Sequence, residues 1–475
     1  MHVYSANLYN IIYRIRLIPI IILHVICHAQ FISALDWELE TVDDAGNVGS
    51  FCCLTLNSAG FPHLSYHDAT NEYLKYAYYD GPVWHAEVID TSTYRTGWYT
   101  SIAVDAAGNP HISYFAAVDL KYAYRDDVGW HLETIQTGAY LGGYTSVALD
   151  QNGFPHIAYY WQTSHWGGNL RYAFKDAEGW HVESVDNGNN RGKWASLKLD
   201  DANHAHIGYC DYCLNSWYDH PEDLRYAFRG AEGWNLEIAD GTGCVGGYSS
   251  MDLDSQGYPH MSHQEQVYFY DPYPKRLRYT YKDGEGWHTQ ILDDNPGAGT
   301  YTSLAVNQYD KPRIAYWETH NRGLTYASML DSIWYLEKID PPEIGGGDFP
   351  ALVLDINGFP RIGYRKGSTS LGYIRSDGIS LASCAEENSL VLYWSPYPMG
   401  SSYCCYGEEN NTYFEPRGEN VIADIPQNVF SLSCAFGAGD PNAEWVFIIL
   451  TVDELGAELS RSNYAGERDF PWIFP

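Results

Sequence analysis

The stretch YTSVALDQNGFPHIAYYWQTSHWGGNLRYAFKDAEGWHVESVDNGNNRGK, residues 144–193, holds four short runs of β-forming residues. They are YTSVALD, PHIAYY, LRYAFKD and GWHVESVD, and Gly, Asp or Asn turn chemistry closes each one. The unit recurs. Copies open at Phe51, Tyr99, Tyr144, Trp194, Tyr248, Tyr301 and Phe349, an aromatic residue every time, at spacings of 45 to 54 residues. A four-strand unit of this length, repeated seven times, predicts a β-propeller, whose radial blades leave only short protected edges. An α-solenoid would need helical periodicity, and these units carry none.

The ends of the repeat give an independent check. The seventh unit holds FPALVLD, PRIGYR and SLGYIRSDG and then stops without a GWHxE strand. The missing strand lies at the front: DWELETVDDAGNVG, residues 36–49, matches GWHLETIQTGAYLGG at 129–143. The fold class is therefore all-β, a seven-bladed propeller over 35–378 closed by an N-terminal strand. A small β-sandwich is expected over 384–475.

Composition agrees. A chain of 475 residues can bury a large core and a second small domain. Its 16% aromatic content and 44 glycines favour pleated sheets joined by tight turns. The net charge of -32 argues against nucleic-acid partners, which need clustered Lys and Arg, and against anionic membrane surfaces. At the N-terminus Arg14 and Arg16 precede an apolar run from Leu17 to Ile26, and small residues follow at Ala29 and Ala34. That is the layout of a signal peptide over 1–34, cleaved after Ala29 or Ala34. Lipid attachment at Cys27 is the weaker alternative, because bulky Ile26 precedes it. No other stretch approaches the roughly 20 apolar residues of a membrane span. The mature chain is expected outside the cell, released or at the surface, with its oligomeric state open.

Ten cysteines fit an oxidising compartment, and nine remain without Cys27, so at least one is free or intermolecular. CDYC at 210–213 has the spacing of half a zinc site or a redox pair, with Cys244 a distant further ligand. No second CxxC exists, and a loop disulfide or unpaired thiols is the simpler reading.

Two resemblances add to this. KDAEGWH at 175–181, with RDDVGWH, RGAEGWN and KDGEGWH elsewhere, resembles the Asp-box turn of sialidase-like propellers, in which Trp packs between strands and Asp holds the loop. It lacks the Ser or Thr of that motif two residues before the Asp. SLVLYWSPYPMGSSYCCYGEENNTYFEP and GDPNAEWVFIILTVDELGAELSRSN resemble the fibronectin type III-like modules that end many secreted bacterial proteins, with Trp394, Tyr403 and Tyr406 at the core aromatic positions. A sialidase would use three arginines for the substrate carboxylate, a Tyr with a Glu, and an Asp. Arg95 and Arg191 lie in links between units with no third partner in view, and no catalytic residue is nominated.

Chemistry is expected where the copies differ. His63, His111, His156, His206 and His260, replaced by Arg313 and Arg361, occur once per blade. Such residues suit hydrogen bonds to an adjacent blade and stand too far apart to share a metal. The DQNG and DING turns at 150 and 355 lack the further carboxylates of a calcium loop and read as β-turns. No cofactor is expected, with structural calcium the alternative. Units 3, 4 and 5 carry the insertions WQTSHWGGN, CDYCLNSWYDHPED and QEQVYFYDPYPKR, which should share one face with the links TSTYRTGW and NGNNRGK. Trp161, Trp166, Trp217, Tyr218, Tyr268, Tyr270 and Tyr273 could stack on sugar rings there, with His165, Asp219 and Glu265 as hydrogen-bonding groups. The competing use of these aromatics is to pack on one another. The expected function is non-enzymatic recognition of carbohydrate or another extracellular polymer. The alternatives are a sialidase-like glycoside hydrolase or lyase, and a platform for an extracellular protein.

Overall fold

Pro62–Asp68, the second strand of the first unit, is buried along its whole length, as are Pro110–Ala116 and Ala205–Asp211. A strand with both faces covered has a sheet on either side, which is why PHIAYY reads as a continuous apolar phrase and not an alternating one. The computed structural model describes residues 37–376 except 139–140, 165–166, 189, 212–222, 267–274, 321–322, 331–332, 340–345 and 368. Beyond them it describes the backbone of eight strands between 381 and 466.

Seven four-stranded antiparallel sheets form the blades. In blade 1, Val48–Leu56 is innermost, Pro62–Asp68 and Tyr73–Tyr79 follow, and Trp84–Asp90 is outermost. Blade 7 takes Asp348–Leu354, Pro360–Lys366 and Ser370–Arg375 from one end of the repeat and Glu38–Asp43 from the other. Glu38 stands opposite Arg375 and Asp43 opposite Leu371. The N-terminal strand thus closes the ring as the repeat arithmetic requires, and Arg375 adds a 2.8 Å bond to Glu38 across the seam.

The aromatic that opens each unit does something spacing does not reveal. Phe51, Tyr99, Tyr144, Trp194, Tyr248, Tyr301 and Phe349 all sit in the left-handed region, with φ between 50° and 55°. Each occupies a bulge of its innermost strand, such as the register break between Trp98 and Ser101. Such a φ costs a non-glycine residue roughly 1–2 kcal/mol. Ring packing offsets it, because the seven rings touch in a closed circle about the axis, with centroids 4.3 to 5.3 Å apart from Tyr301 and Phe349 round to Trp194 and Tyr144. Two residues earlier a glycine lets the link approach the previous blade: a Cβ on Gly97 or Gly192 would meet the Cα of Leu74 or Leu170 at 2.9 or 2.7 Å.

Neighbouring blades are joined by three repeated bonds. Ser101, Ser146, Ser196, Ser250 and Ser303 each accept a backbone N–H from the next innermost strand at 2.9 to 3.1 Å. Tyr66, Tyr114, Tyr209 and Tyr316 donate to Asp43, Asp90, Asp186 and Asp293 of the preceding blade at 2.6 to 2.8 Å. On the rim, Trp84, Trp130, Trp180, Trp234 and Trp287 donate their indole N–H to Glu40, Glu87, Glu133, Glu183 and Glu237. The GWH turn is thus scaffold: Asp126 accepts from the backbone of Val128 and Gly129 and pairs with His131 at 2.9 Å.

The histidines of the PHI phrase are structural, with a corrected partner. His63, His206 and His260 engage Tyr76, Tyr226 and Tyr279 on the third strand of their own blade, at 2.5 to 2.6 Å, and not the adjacent blade. The tyrosine makes the inter-blade contact instead, as Tyr76 does edge-on to Trp130. Arg361 replaces the imidazole by reaching the turn carboxylate of Asp355 at 2.7 Å. The DQNG and DING carboxylates are likewise engaged by backbone donors, Asp150 by Asn152 and Phe154 and Asp355 by Asn357 and Phe359.

Glu38–Arg375 forms one compact unit, and a second holds residues 376–475. In the latter, Leu381–Glu386, Ser389–Trp394 and Ser431–Cys434 form one antiparallel sheet. Ser402–Glu409 and Trp445–Val452 centre another. The side chains of Trp394, Tyr403 and Tyr406, and the expected signal peptide, lie outside the described residues. Among the described residues no helix is long and apolar enough to cross a membrane.

Candidate functional site

The links between blades and the loops joining second to third strands share one face. There the insertion of unit 3 is no loop: Pro155–Ser164 and Gly167–Asp176 extend the two strands as a long hairpin. Trp161, expected on an exposed wall, is 4% exposed and packs with Phe115 and Tyr159 in the core between blades 2 and 3. Its ring faces the guanidinium of Arg171 at 5.5 Å. Glu265 is 8% exposed and accepts from Arg278 at 3.0 Å, while Arg278 also holds Asp240 at 2.9 Å. Both residues are occupied within the fold. His165, Trp166, Trp217, Tyr218, Asp219, Tyr268, Tyr270 and Tyr273 lie outside the described residues.

What the structure does bring together is a cleft of about 170 Å³ where blades 2, 3 and 4 meet. Tyr99 and Tyr144 of the axial ring stand beside Phe115, Tyr160, Trp98 and Gln162, and Arg95 and Lys193 supply the charge. Two consecutive glycines make the space. A Cβ on Gly142 would lie 1.7 Å from the Phe115 ring, and one on Gly143 2.6 Å from Tyr99.

Arg95 is exposed and held from its backbone. Its φ is 55°, and its N–H donates to Glu72 at 2.9 Å. The guanidinium carbon stands 4.7 Å from the centre of the Trp98 indole. That indole donates to His67 Nε2 at 3.2 Å, and His67 Nδ1 donates to the Thr96 carbonyl at 2.9 Å. Burial holds His67 below its usual pKa, so the neutral imidazole has one fixed tautomer and positions Trp98. Arg95 makes no ion pair among the described residues. Lys193 lies over the Tyr160 ring at 5.7 Å.

The phenols are kept protonated. Burial pushes Tyr160 up to about 12, and its hydroxyl donates to Asn190 at 3.1 Å. Burial also raises Tyr99, against the opposing pull of Tyr144 and Arg95, and raises Tyr144 further. The cleft therefore offers fixed positive charge, aromatic faces and neutral hydroxyl groups, the set that suits an anionic ligand with a ring to stack.

The sequence had marked both links but not the cleft. Arg95 and Lys193 belong to TSTYRTGW and NGNNRGK, whereas Phe115 and Tyr160 occupy ordinary repeat positions whose twins in other blades are His67, Cys210, Gln264, Trp317 and Arg365. Among the described residues no group of three or more His, Cys, Asp or Glu could hold a metal. Cys210 is a buried thiol beside the Val245 carbonyl, and Cys213 is outside the described residues.

No family model and no curated protein matches the chain. Solved structures match its shape. A PL25 ulvan lyase bound to -[GlcA(1-4)Rha3S]- superimposes with a TM-score of 0.52 at 13% identity, over 69% of this chain and 94% of that one. A second structure of a PL25 ulvan lyase gives 0.51 at 12% identity over the same shares. The polysaccharide lyase Uly1 gives 0.47 at 10%, over 68% and 88%. At these identities the likeness to the two ulvan lyase structures shows the fold alone, and with its seven blades the chain is a seven-bladed β-propeller.

Proposed function

We propose that the protein recognises an acidic polysaccharide outside the cell, in the cleft between blades 2 and 3. The observation that carries this reading is Arg95. In a chain of net charge -32 its guanidinium is turned to an aromatic face at the cleft and not to a carboxylate. A uronate carboxylate can take the fork of that guanidinium while its sugar ring lies on Trp98 or Tyr99. The ulvan lyase of like fold holds GlcA, an acidic sugar, which supports the same class of ligand here. The leader pattern of residues 1–34 supports export. Binding is measured by calorimetry against uronate-containing and neutral polysaccharides. Uronate polymers should bind, with affinity falling as salt rises, and Arg95→Ala should weaken them by about tenfold or more. Equal binding of neutral polymers would overturn the reading.

A second reading, a polysaccharide lyase, rests on the phenols. With the uronate carboxylate neutralised by Arg95 or Lys193, the C5–H becomes acidic. Its transfer to a water molecule acting as base and the breaking of the C4–O bond leave a C4=C5 double bond, and a protonated phenol of the cleft such as Tyr99 can give its proton to the departing oxygen. Incubation with the bound polymer decides between the two, since a lyase releases unsaturated ends that absorb in the ultraviolet and a binding protein releases none.

A further inference from the structure

The outermost strand of each blade ends on a residue that the repeat almost fixes. Six residues after the Trp of that strand stand Asp43, Asp90, Asp186, Asp240, Asp293 and Asp340, and in blade 2 alone the residue is Gln136. The five described aspartates are only 2 to 8% exposed, whereas Gln136 is partly open to solvent.

These aspartates neutralise cations. Asp43 and Asp90 accept on one oxygen from the phrase tyrosine of the next blade, Tyr66 or Tyr114, and from its third-strand lysine, Lys75 or Lys121, the last at 3.0 Å. Arg225 and Arg278, at the lysine's position in blades 4 and 5, are held by Asp211 and Asp240 at 2.9 Å. Blade 3 keeps the cation and lacks the carboxylate. Tyr159 donates to Gln136 Oε1 at 2.6 Å in the usual way, but Arg171, opposite Tyr159 on the third strand, makes no ion pair among the described residues. Its Nε donates to Asn169 at 3.3 Å, and its guanidinium carbon lies 5.5 Å from the centre of the Trp161 indole. It stands beside the Tyr159 hydroxyl, where it opposes the rise that burial gives that phenol's pKa.

An arginine cannot shed its charge, so half-buried Arg171 has lost part of its hydration and gained no counterion from the described residues. With Gln136 Oε1 taken by Tyr159, the amide of Gln136 has only N–H donors left to offer. Where the other blades place a carboxylate, this junction therefore presents a guanidinium and an amide N–H. A carboxylate arriving from solution would stand in for the missing aspartate and take charge-assisted bonds of the kind Asp90 takes from Lys121.

We propose that Arg171 and Gln136 form an anion site between the outer strands of blades 2 and 3, and that its ligand is a carboxylate, free or carried by an acidic sugar. Neither residue lines the cleft, and the site does not depend on how the cleft is read.

Calorimetry of the full chain at constant ionic strength tests it, with glucuronate, acetate and neutral glucose as probes. Arg95→Ala protein is the parent, so that the guanidinium of the cleft is absent. Glucuronate should bind this parent. Adding Gln136→Glu, which exchanges an amide for a carboxylate of the same shape and gives Arg171 an internal partner, should weaken that binding by about tenfold or more, and adding Arg171→Gln should do the same. Acetate distinguishes the two sources of the group: acetate binding lost on Gln136→Glu supports a site for any carboxylate, and glucuronate binding alone supports one for a sugar acid. No carboxylate binding by the parent, binding unchanged by Gln136→Glu, or glucose binding as tight as glucuronate overturns the site. Failure of the cleft reading shows separately, as equal glucuronate affinity in wild type and Arg95→Ala. Without ligand, Gln136→Glu should melt above its parent, because Arg171 then has its pair; a lower melting temperature would mean that the new carboxylate does not reach Arg171 and would count against the site.

Discussion

Arg95 and Arg191 both stand in links between blades, and their surroundings are opposite. Arg191 reaches Asp211 at 3.0 Å and Asp186 at 3.2 Å, two carboxylates almost out of contact with water. Arg95 has an acidic neighbour too, but Glu72 takes its backbone N–H, and the guanidinium is left over the Trp98 indole. Arg278 in blade 5 repeats the Arg191 pattern between Asp240 and Glu265. A cation that the fold neutralises holds blades together. One whose only described contacts are ring faces is available to an anion from outside, and this separates scaffold from site where most of the described arginines pair with carboxylates of the fold.

The largest test of the scaffold is the seam. Asp43, on the closing strand, accepts from Tyr66 at 2.6 Å and from Lys75, both in blade 1, and Glu40 accepts from Trp84 at 2.7 Å. Deleting residues 36–43 removes a strand of blade 7 and these three bonds together. Leaving Lys75 buried without its partner costs about 3–5 kcal/mol before any ladder bond is counted. Calorimetry should show the single unfolding transition of the propeller broadened or lost. An unchanged transition would mean that the ring does not depend on its closing strand.

Acid is the next test, because it strikes the histidines of every regular blade and spares the arginine pairs. Burial lowers the pKa of His63 to about 4, and it lowers His67, His111, His156, His206 and His260 as well. An unfolded histidine takes up its proton near pH 6.5, whereas folded His63 resists until about 4. Between those values the unfolded state binds more protons, so stability is complete above about pH 6.5 and is lost as pH falls toward 4. His63 alone contributes about 3 kcal/mol to that loss. Melting temperature should fall over this window, and His63→Gln should shallow the fall. A melting temperature flat from pH 7 to 4 would refute the buried neutral imidazoles.

The sequence made the scaffold legible because burial repeats. Ile112, Ile157, Ile207, Ile314 and Ile362 are fully buried at one position of the phrase, and recurrence at fixed spacing is what a chain can write down. The same property hid the site. Phe115 and Tyr160 sit where His67 and Gln264 sit in other blades, so nothing in their own unit marks them. The cleft exists because two glycines, Gly142 and Gly143, leave room for rings from the preceding blade. Trp161 misled for a related reason: just past the phrase it looked like the start of a loop, but the hairpin of blade 3 continues, and strand alternation turns its ring inward against Phe115. Glu265 misled because a carboxylate at a strand end looks available until Arg278, thirteen residues on, is placed against it. Nor does spacing encode the left-handed φ of seven aromatic residues, since their identity is explained equally well by packing in an ordinary strand.

The smallest effect returns to the two arginines. Arg191→Ala leaves Asp186 and Asp211 with fewer partners, although Tyr209 and Arg225 still reach them at 2.8 and 2.9 Å, and the Arg191 side chain is 31% exposed. The cost is therefore less than that of a fully buried pair, about 2 kcal/mol, read as a lowered urea midpoint. Arg95→Ala removes no described ion pair, and its unfolding free energy in urea should stay within about 0.5 kcal/mol of wild type. Against the acidic polymer the order reverses: Arg95→Ala loses affinity and Arg191→Ala keeps it. If Arg95→Ala instead destabilised the fold as much as Arg191→Ala and bound the polymer as wild type does, both links would be scaffold. The site would then have to be sought elsewhere on the face.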